Sequence, residues 1–583
     1  MSSSHPRTLK ATIKVPARVV RAVSHACRKS KSVSSRLLSR LSFLAADYFY
    51  FVIVCLTASI IFWAISTPTR SISYADSLFL VVSAMTSTGL RTINLSQTTI
   101  PQQVVLFLLM IFGSRVWVSI CIVYGRMRRF HKRFDALLQE ARGRRDTSRS
   151  PTRRPPRSLL ARTVLGRIRS SNKSGRNRSN GNNEDGTPYL SWEPTVESSF
   201  TLTSEQRGEL GGIEYRALKQ LFILLLVYVL LWQFLGCIAL ASWIQNNLPP
   251  EQASHYGIVH HWWLGIFSGV SAFNNVGLSL VDASMIPFQR SYFVIITTGL
   301  LIQAGYVGFP VLLKITLWSL SKLVKRGTKA YENLRFTLDH PQRVYIYLFR
   351  SRRTWWCLFS LLILNATNWV GFILFSLGND SDVESIPTGP RVLVALFQAF
   401  CVRFGGFHVV KISSLHIGLQ VLYAATMFAL AYPIVRMDKR RTNVYEETSI
   451  AHHRVDPEGE GDSTLKYLGQ VARFQLTRRG IWALILAVFA ITAIEADHFR
   501  QDPVQYSTFK IMFETASAYC GSGVSVGWPD KDYSFSGGWH DASKVILCVV
   551  MLRGRHRDLP DAIDPAVLLP SEARGATSSN RRE

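Results

Sequence analysis

Four short stretches decide the fold: SAMTSTGL at Ser83–Leu90, SAFNNVGL at Ser271–Leu278, FCVRFGGF at Phe400–Phe407 and SAYCGSGV at Ser517–Val524. Each carries glycine at its seventh position: Gly89, Gly277, Gly406 and Gly523. Each is moderately apolar, too short to cross a bilayer, and flanked by two longer apolar runs. Those runs lie at about 44–66, 102–124, 219–244, 290–318, 354–377, 417–435, 480–496 and 540–557. A helix needs about 20 apolar residues to cross a hydrocarbon core of roughly 30 Å. The chain therefore reads as four copies of span, re-entrant segment, span, and four related copies can surround one axis. The expected fold is an all-α polytopic membrane protein. It has four tandem helix–re-entrant pore loop–helix repeats, about eight spans, in pseudo-fourfold arrangement around a central ion pore.

Charge follows the same division. The 583 residues carry a formal net charge of +29, which first suggests nucleic acid or a membrane surface. The basic residues are separated from the apolar runs, however. Residues 1–43 hold ten Lys/Arg and no acid, and residues 125–180 hold eighteen against three. Loops 246–259 and 378–390 hold none. The positive-inside rule then places both termini and the long basic connections in the cytoplasm, so all four glycine segments enter from outside. The expected divisions are a basic arm, 1–43; repeat 1, 44–135; a basic low-complexity linker, 136–210; repeat 2, 211–325; repeat 3, 326–445; repeat 4 with its preceding connection, 446–570; and a tail, 571–583. Asn94-Leu-Ser and Asn379-Asp-Ser are outside-facing glycosylation sequons.

The residue types argue against covalent chemistry. Eight scattered cysteines form no C-x-x-C pair, and the fourteen histidines form no H-E-x-x-H. No phosphate-binding loop or nucleophile elbow is present. The expectation is no enzyme and no cofactor. No aromatic-basic platform supports a nucleic-acid partner.

Non-helical backbone at membrane depth needs protein or water around it, and four re-entrant loops meeting at a pore satisfy that. Glycine lets successive carbonyls turn toward the axis. Rings of carbonyl oxygens can replace a cation's hydration shell. The expected filter for a cation is built around Gly89, Gly277, Gly406 and Gly523. Charged residues inside apolar segments are candidates for function. Arg403 and Glu514, in the third and fourth re-entrant segments, suggest a buried pair behind the filter. Arg555 and Lys544 lie in the last span. By itself Arg555 reads as a functional candidate inside the span or as a membrane-end arginine reaching the interface.

Beyond the glycines, the sequence resembles the fungal-type Trk potassium transporters of the Trk/Ktr/HKT superfamily. The resemblance rests on GGIEYRALK (211–219), WWLGIFSGVSAFNNVGLSL (262–280), FQAFCVRFGGF and LYAATMFALAYPI within 397–434, RTNVYEE (441–447) and MLRGRHRDLPDAIDPAVLLP (551–570). It implies a plasma-membrane potassium carrier, a homo-oligomer (dimer or tetramer) and contacts with membrane lipid. It also implies a potassium filter of carbonyls from Thr88, Gly89, Val276, Gly277, Gly405, Gly406, Ser522 and Gly523, in which Gly89 favours potassium, since a serine there accompanies sodium transport, and an Arg555 that points into the pore below the filter as a conduction barrier. The chain departs from the family pattern at Cys520, Ser522, Tyr306, Phe404-Gly405, Asp558 and Pro565. Sodium or anion permeation, or a non-transporting potassium sensor, are the alternative readings.

Overall fold

The computed structural model describes residues 43–66, 72–148, 212–248, 260–345, 347–349, 351–376, 386–430 and 480–557. The N-terminal arm, most of the basic linker, the Asn379 sequon, the RTNVYEE motif and the tail lie outside the described residues.

The regular elements among the described residues are all helices, and they follow the expected repeat order. Repeat 1 runs through Phe43–Ala64, the pore helix Tyr74–Met85, then Ile100–Phe112 and Arg115–Ser148. Repeat 2 runs through Gly212–Asn247, the pore helix His261–Phe273, then Tyr292–Ile302 and Phe309–Leu323. Repeat 3 has Ser351–Ser376, the pore helix Thr388–Phe404 and Ile417–Leu430. Repeat 4 has Gly480–Ile494, the pore helix Thr508–Cys520 and Asp541–His556.

The first, third and fifth expected spans are single helices long and apolar enough to cross a membrane. The second and fourth qualify only as bent pairs, with bends of 53° and 85°. The sequence reads as continuous apolar there, so both breaks are corrections. Each has a local cause. In the second span Gly113 presses on the Met85 carbonyl, where a Cβ would collide. In the fourth span Gln303–Val307 forms a π-helical turn ahead of Gly308 and Pro310. A π turn loosens the ladder, and proline cannot donate into it. The sixth, seventh and eighth spans are shorter helices among the described residues.

Large apolar side chains face outward on the long helices, including Phe49, Ile53 and Ile60, then Leu230 and Phe234, then Trp355 and Leu362. Polar groups turn inward, as a chain solvated by lipid requires. Helix starts are fixed locally. Ser73 Oγ accepts from Asp76 N–H (3.0 Å) to begin pore helix 1. Thr99 N–H donates to Gln102 Oε1 (3.0 Å) to begin the second span.

Candidate ion pathway

Each pore helix runs into a tight turn, and in three repeats the turn is the same. The N–H groups of Thr88, Val276 and Ser522 return to the carbonyls of Ser83, Ser271 and Ser517 at 2.9, 2.9 and 3.0 Å. One residue earlier the chain enters the left-handed region, at Ser87 (φ 56°), Asn275 (φ 54°) and Gly521 (φ 67°). Small and Asx-like residues tolerate that conformation best. Phe404 occupies this position in repeat 3 and stays helical. There Gly405 N–H bonds to Cys401 O (2.9 Å), closing the turn differently.

The four glycines expected to form the filter then converge. All have positive φ: 89° at Gly89, 83° at Gly277, 66° at Gly406 and 76° at Gly523. A Cβ on Gly89 would collide with Val276 O, and one on Gly523 with Thr88 O. A Cβ on Gly277 would meet Gly405 O at 2.5 Å, and one on Gly406 would meet Val276 O at 2.5 Å. Repeat 1 therefore touches repeats 2 and 4 through its filter residues, and repeat 2 touches repeat 3. Gly523 also approaches Gly406, with its Cβ position 3.1 Å from Gly406 Cα, which closes the ring. All eight expected filter residues lie on this ring. The Ser522 hydroxyl donates to Val402 O, fastening repeat 4 to repeat 3.

The charged candidates fall around the ring. Lys544 Nζ lies 2.7 Å from Asp76 Oδ1, tying the last span to pore helix 1. Glu514 Oε1 accepts from Ser536 N–H (3.2 Å), holding the loop that follows the fourth filter strand. Arg403 Nη1 donates to Asn365 Oδ1 (2.9 Å) and Leu361 O (3.3 Å). The expected Arg403–Glu514 pair does not form. Each group is bonded within its own surroundings, Arg403 to the preceding span and Glu514 to its own loop.

A narrow cavity opens where the pore helices end, here called the inner side. Ser87, Ser114, Arg115, Asn274, Asn275, Gly305, Tyr306 and Gly521 line it. Both span breaks deliver residues to it: Ser114 and Arg115 follow the first bend, and Gly305 and Tyr306 lie in the π turn. The Arg115 guanidinium carbon stands 4.1 Å from the Tyr306 ring centroid. Arg555 is not among the residues lining this cavity. Its Nη2 donates to Gly113 O (2.5 Å), and its guanidinium lies 5.5 Å from the Phe51 ring. It is buried, which argues against a membrane-end arginine reaching the interface. Arg557 caps the fourth pore helix, donating to Tyr519 O (2.8 Å) and Cys520 O (3.0 Å). Sequence reasoning did not single out Arg115. An arginine just after Gly-Ser in an apolar run was the available signal.

On the other, outer side, the buried Arg91 side chain donates to Asp282 O (2.5 Å) and Val281 O (3.4 Å). Its N–H also reaches Ser534 Oγ (3.0 Å). Burial lowers the Arg91 pKa, while Asp282 acts to raise it. Arg91 thus joins the outer loops of repeats 1, 2 and 4.

Comparison with known proteins names this arrangement. The TrkH profile, described as a cation transport protein, matches residues 186–575, more than half of the chain.

The chain belongs to the TrkH cation transport family.

Among relatives, the chain is similar to the potassium transporter TRK1 of Candida albicans, 38% identical over 66% of this chain and 37% of the relative. Potassium transport protein 1 of Schizosaccharomyces pombe is 37% identical, over 66% of this chain and 45% of the relative. The low-affinity potassium transport protein of Saccharomyces cerevisiae is 35% identical, over 66% and 47%. The chain thus spans between a third and a half of the length of these curated relatives. The potassium transporter TrkH from Vibrio parahaemolyticus aligns over 87% of this chain and 83% of its own, with 14% identity and a TM-score of 0.43. The TrkH profile begins after repeat 1. Repeat 1 joins the assembly through its own filter residues, by the contacts of Gly89 and Thr88.

Proposed function

We propose that this TrkH-family chain carries potassium into the cell across the plasma membrane, through the four-glycine ring. The carrying observation is the convergence of Gly89, Gly277, Gly406 and Gly523, all at positive φ. Backbone there offers carbonyl oxygens and no side chain, the donor set suited to a dehydrated alkali cation. Gly89 favours potassium over sodium. An inside-negative potential supplies about 2.3 kcal/mol per charge per 100 mV. Both termini face the cytoplasm, the filter is entered from outside, and the working unit is a homo-oligomer, dimer or tetramer, embedded in lipid.

In this reading a cation leaving the filter inward meets Arg115 first. The guanidinium repels it, and stacking on Tyr306 holds that charge in the path. Arg555 stands one layer back and fixes the break at Gly113. A second reading, a poorly conducting sensor, draws support from the three arginines Arg115, Arg555 and Arg557 gathered on the inner side. Rubidium uptake into potassium-starved cells tests the leading reading. Wild-type chain should take up rubidium, and Gly277→Arg should abolish uptake at equal surface expression. Equal uptake by both would remove the pore assignment.

A further inference from the structure

On the outer side, away from the filter axis, Glu495, His498 and His540 converge. Glu495 ends the seventh span, His498 lies on the short helix Ala496–Gln501, and His540 precedes the eighth span. Their candidate ligand atoms all lie within 4.8 Å of one another. Glu495 Oε2 is 2.6 Å from His498 Nδ1 and 3.1 Å from His540 Nδ1. Its other oxygen, Oε1, accepts the His540 backbone N–H at 2.9 Å. That bond turns Oε2 toward both imidazoles, the kind of outer support that orients metal ligands. The Glu495 side chain is fully buried, while those of His498 and His540 are 29% and 48% exposed. The cluster is therefore anchored on one side and open to solvent on the other.

We propose that Glu495, His498 and His540 bind one divalent transition-metal ion of the zinc class from the outer solution. Two imidazoles and one carboxylate form a donor set that suits zinc and disfavours calcium or magnesium. Zinc bonds of about 2.0–2.2 Å to nitrogen and oxygen place tetrahedral ligands roughly 3.3 Å apart. The two oxygen–nitrogen separations, 2.6 and 3.1 Å, need only small side-chain rotations to reach that spacing. The rings stack at 4.3 Å with 19° between planes, so each must also turn its Nδ1 lone pair toward the shared ion. Their exposure permits this. Without metal, each neutral ring can donate Nδ1–H to Oε2. With metal, the ring proton moves to Nε2 by exchange with water, leaving Nδ1 free to ligate. Water completes the coordination.

The site has a mechanical meaning. Glu495 and His540 are 45 residues apart in sequence. Between them lie the fourth pore helix and the strand carrying Gly523. His498 also stacks on Tyr506 at 4.8 Å, and the Tyr506 hydroxyl donates to Gly538 O at 3.0 Å. A bound ion would clasp both ends of that segment.

Metal binding tests the proposal independently of transport. The purified full-length chain in detergent is titrated with Co2+, read by visible absorption, and then with competing Zn2+. The expected result is saturable binding of one ion per chain, displaced by Zn2+. His498→Ala and His540→Ala should each weaken it at least tenfold, and substitution of His416, which precedes the sixth span and lies outside the cluster, should not (His416→Ala). Zn2+ should raise the unfolding temperature of wild type but not of either site variant. The metal-free unfolding temperatures of both variants should fall modestly, since buried Glu495 Oε2 loses one donor, and Zn2+ should not restore them. Absence of saturable binding in the wild type, or equal binding in all variants, would overturn the site.

Discussion

The Arg115 guanidinium lies face-on over Tyr306, 4.1 Å from the ring centroid, joining a break in repeat 1 to a break in repeat 2. The two residues are far apart in sequence and meet only because both spans bend beneath the filter. A desolvated cation–π contact contributes about 1–2 kcal/mol. If all of it sits in the barrier to inward flow, releasing it speeds permeation roughly five- to thirtyfold. Arg115→Gln and Tyr306→Ala should both raise rubidium uptake within that range. Arg555→Gln should raise it less, because that guanidinium is bonded to Gly113 O. An unchanged rate in Arg115→Gln would remove Arg115 as the barrier.

Filter substitutions should act through space as much as through chemistry. Gly277→Ala puts a methyl 2.5 Å from Gly405 O, at a φ of 83° that alanine rarely adopts. Uptake should fall at least a hundredfold with surface expression retained. Gly89→Ser should admit sodium, measured as sodium-dependent current. It must also push Val276 O outward, so total conductance should fall at the same time.

Lys544 and Asp76 form a pair at 2.7 Å, with side chains only 8% and 15% exposed. Removing one partner of a buried pair costs about 3–5 kcal/mol, because the other charge is stranded. Lys544→Met should lower the unfolding temperature sharply. Lys544→Met combined with Asp76→Asn should recover part of the loss. A double variant as unstable as the sum of the singles would show that the pair is not coupled.

Arg403 and Glu514 should behave independently. Arg403→Gln and Glu514→Gln should add in stability to within about 0.5 kcal/mol, as separate sites do. Arg403→Gln with Asn365→Ala should not add, since Arg403 Nη1 donates to Asn365 Oδ1 at 2.9 Å. Coupling between Arg403 and Glu514 would contradict the observed partners.

The repeat architecture was legible in the sequence because its signal is local. A glycine at a fixed place after a half-length apolar segment marks a turn that only such a residue closes comfortably. Even repeat 1, outside the TrkH-matched residues, shows itself in the register of Gly89. What stayed hidden depends on where chains bend. Arg115 sits in the middle of a run that reads as one span, and the sequence does not show the bend that brings its side chain to Tyr306. Its partner Tyr306 reads as the loss of a polar group, and only the π turn aims its ring at a cation. Arg403 and Glu514 attract each other on paper, yet Arg403 Nη1 turns to Asn365 and Leu361 and Glu514 Oε1 to the Ser536 N–H. Glu495, His498 and His540 match no spacing motif, because the third residue arrives from another helix.

Repeat 3 keeps Phe404 helical where the other repeats use a left-handed residue, and closes its turn through the Gly405 N–H to Cys401 O. Four identical subunits could not depart in this way, since any change would appear at every corner. A single chain with four unequal corners can adjust one side of its ring while the other three keep their geometry. An ion on the axis would then feel a lopsided cage, with one wall able to yield before the rest.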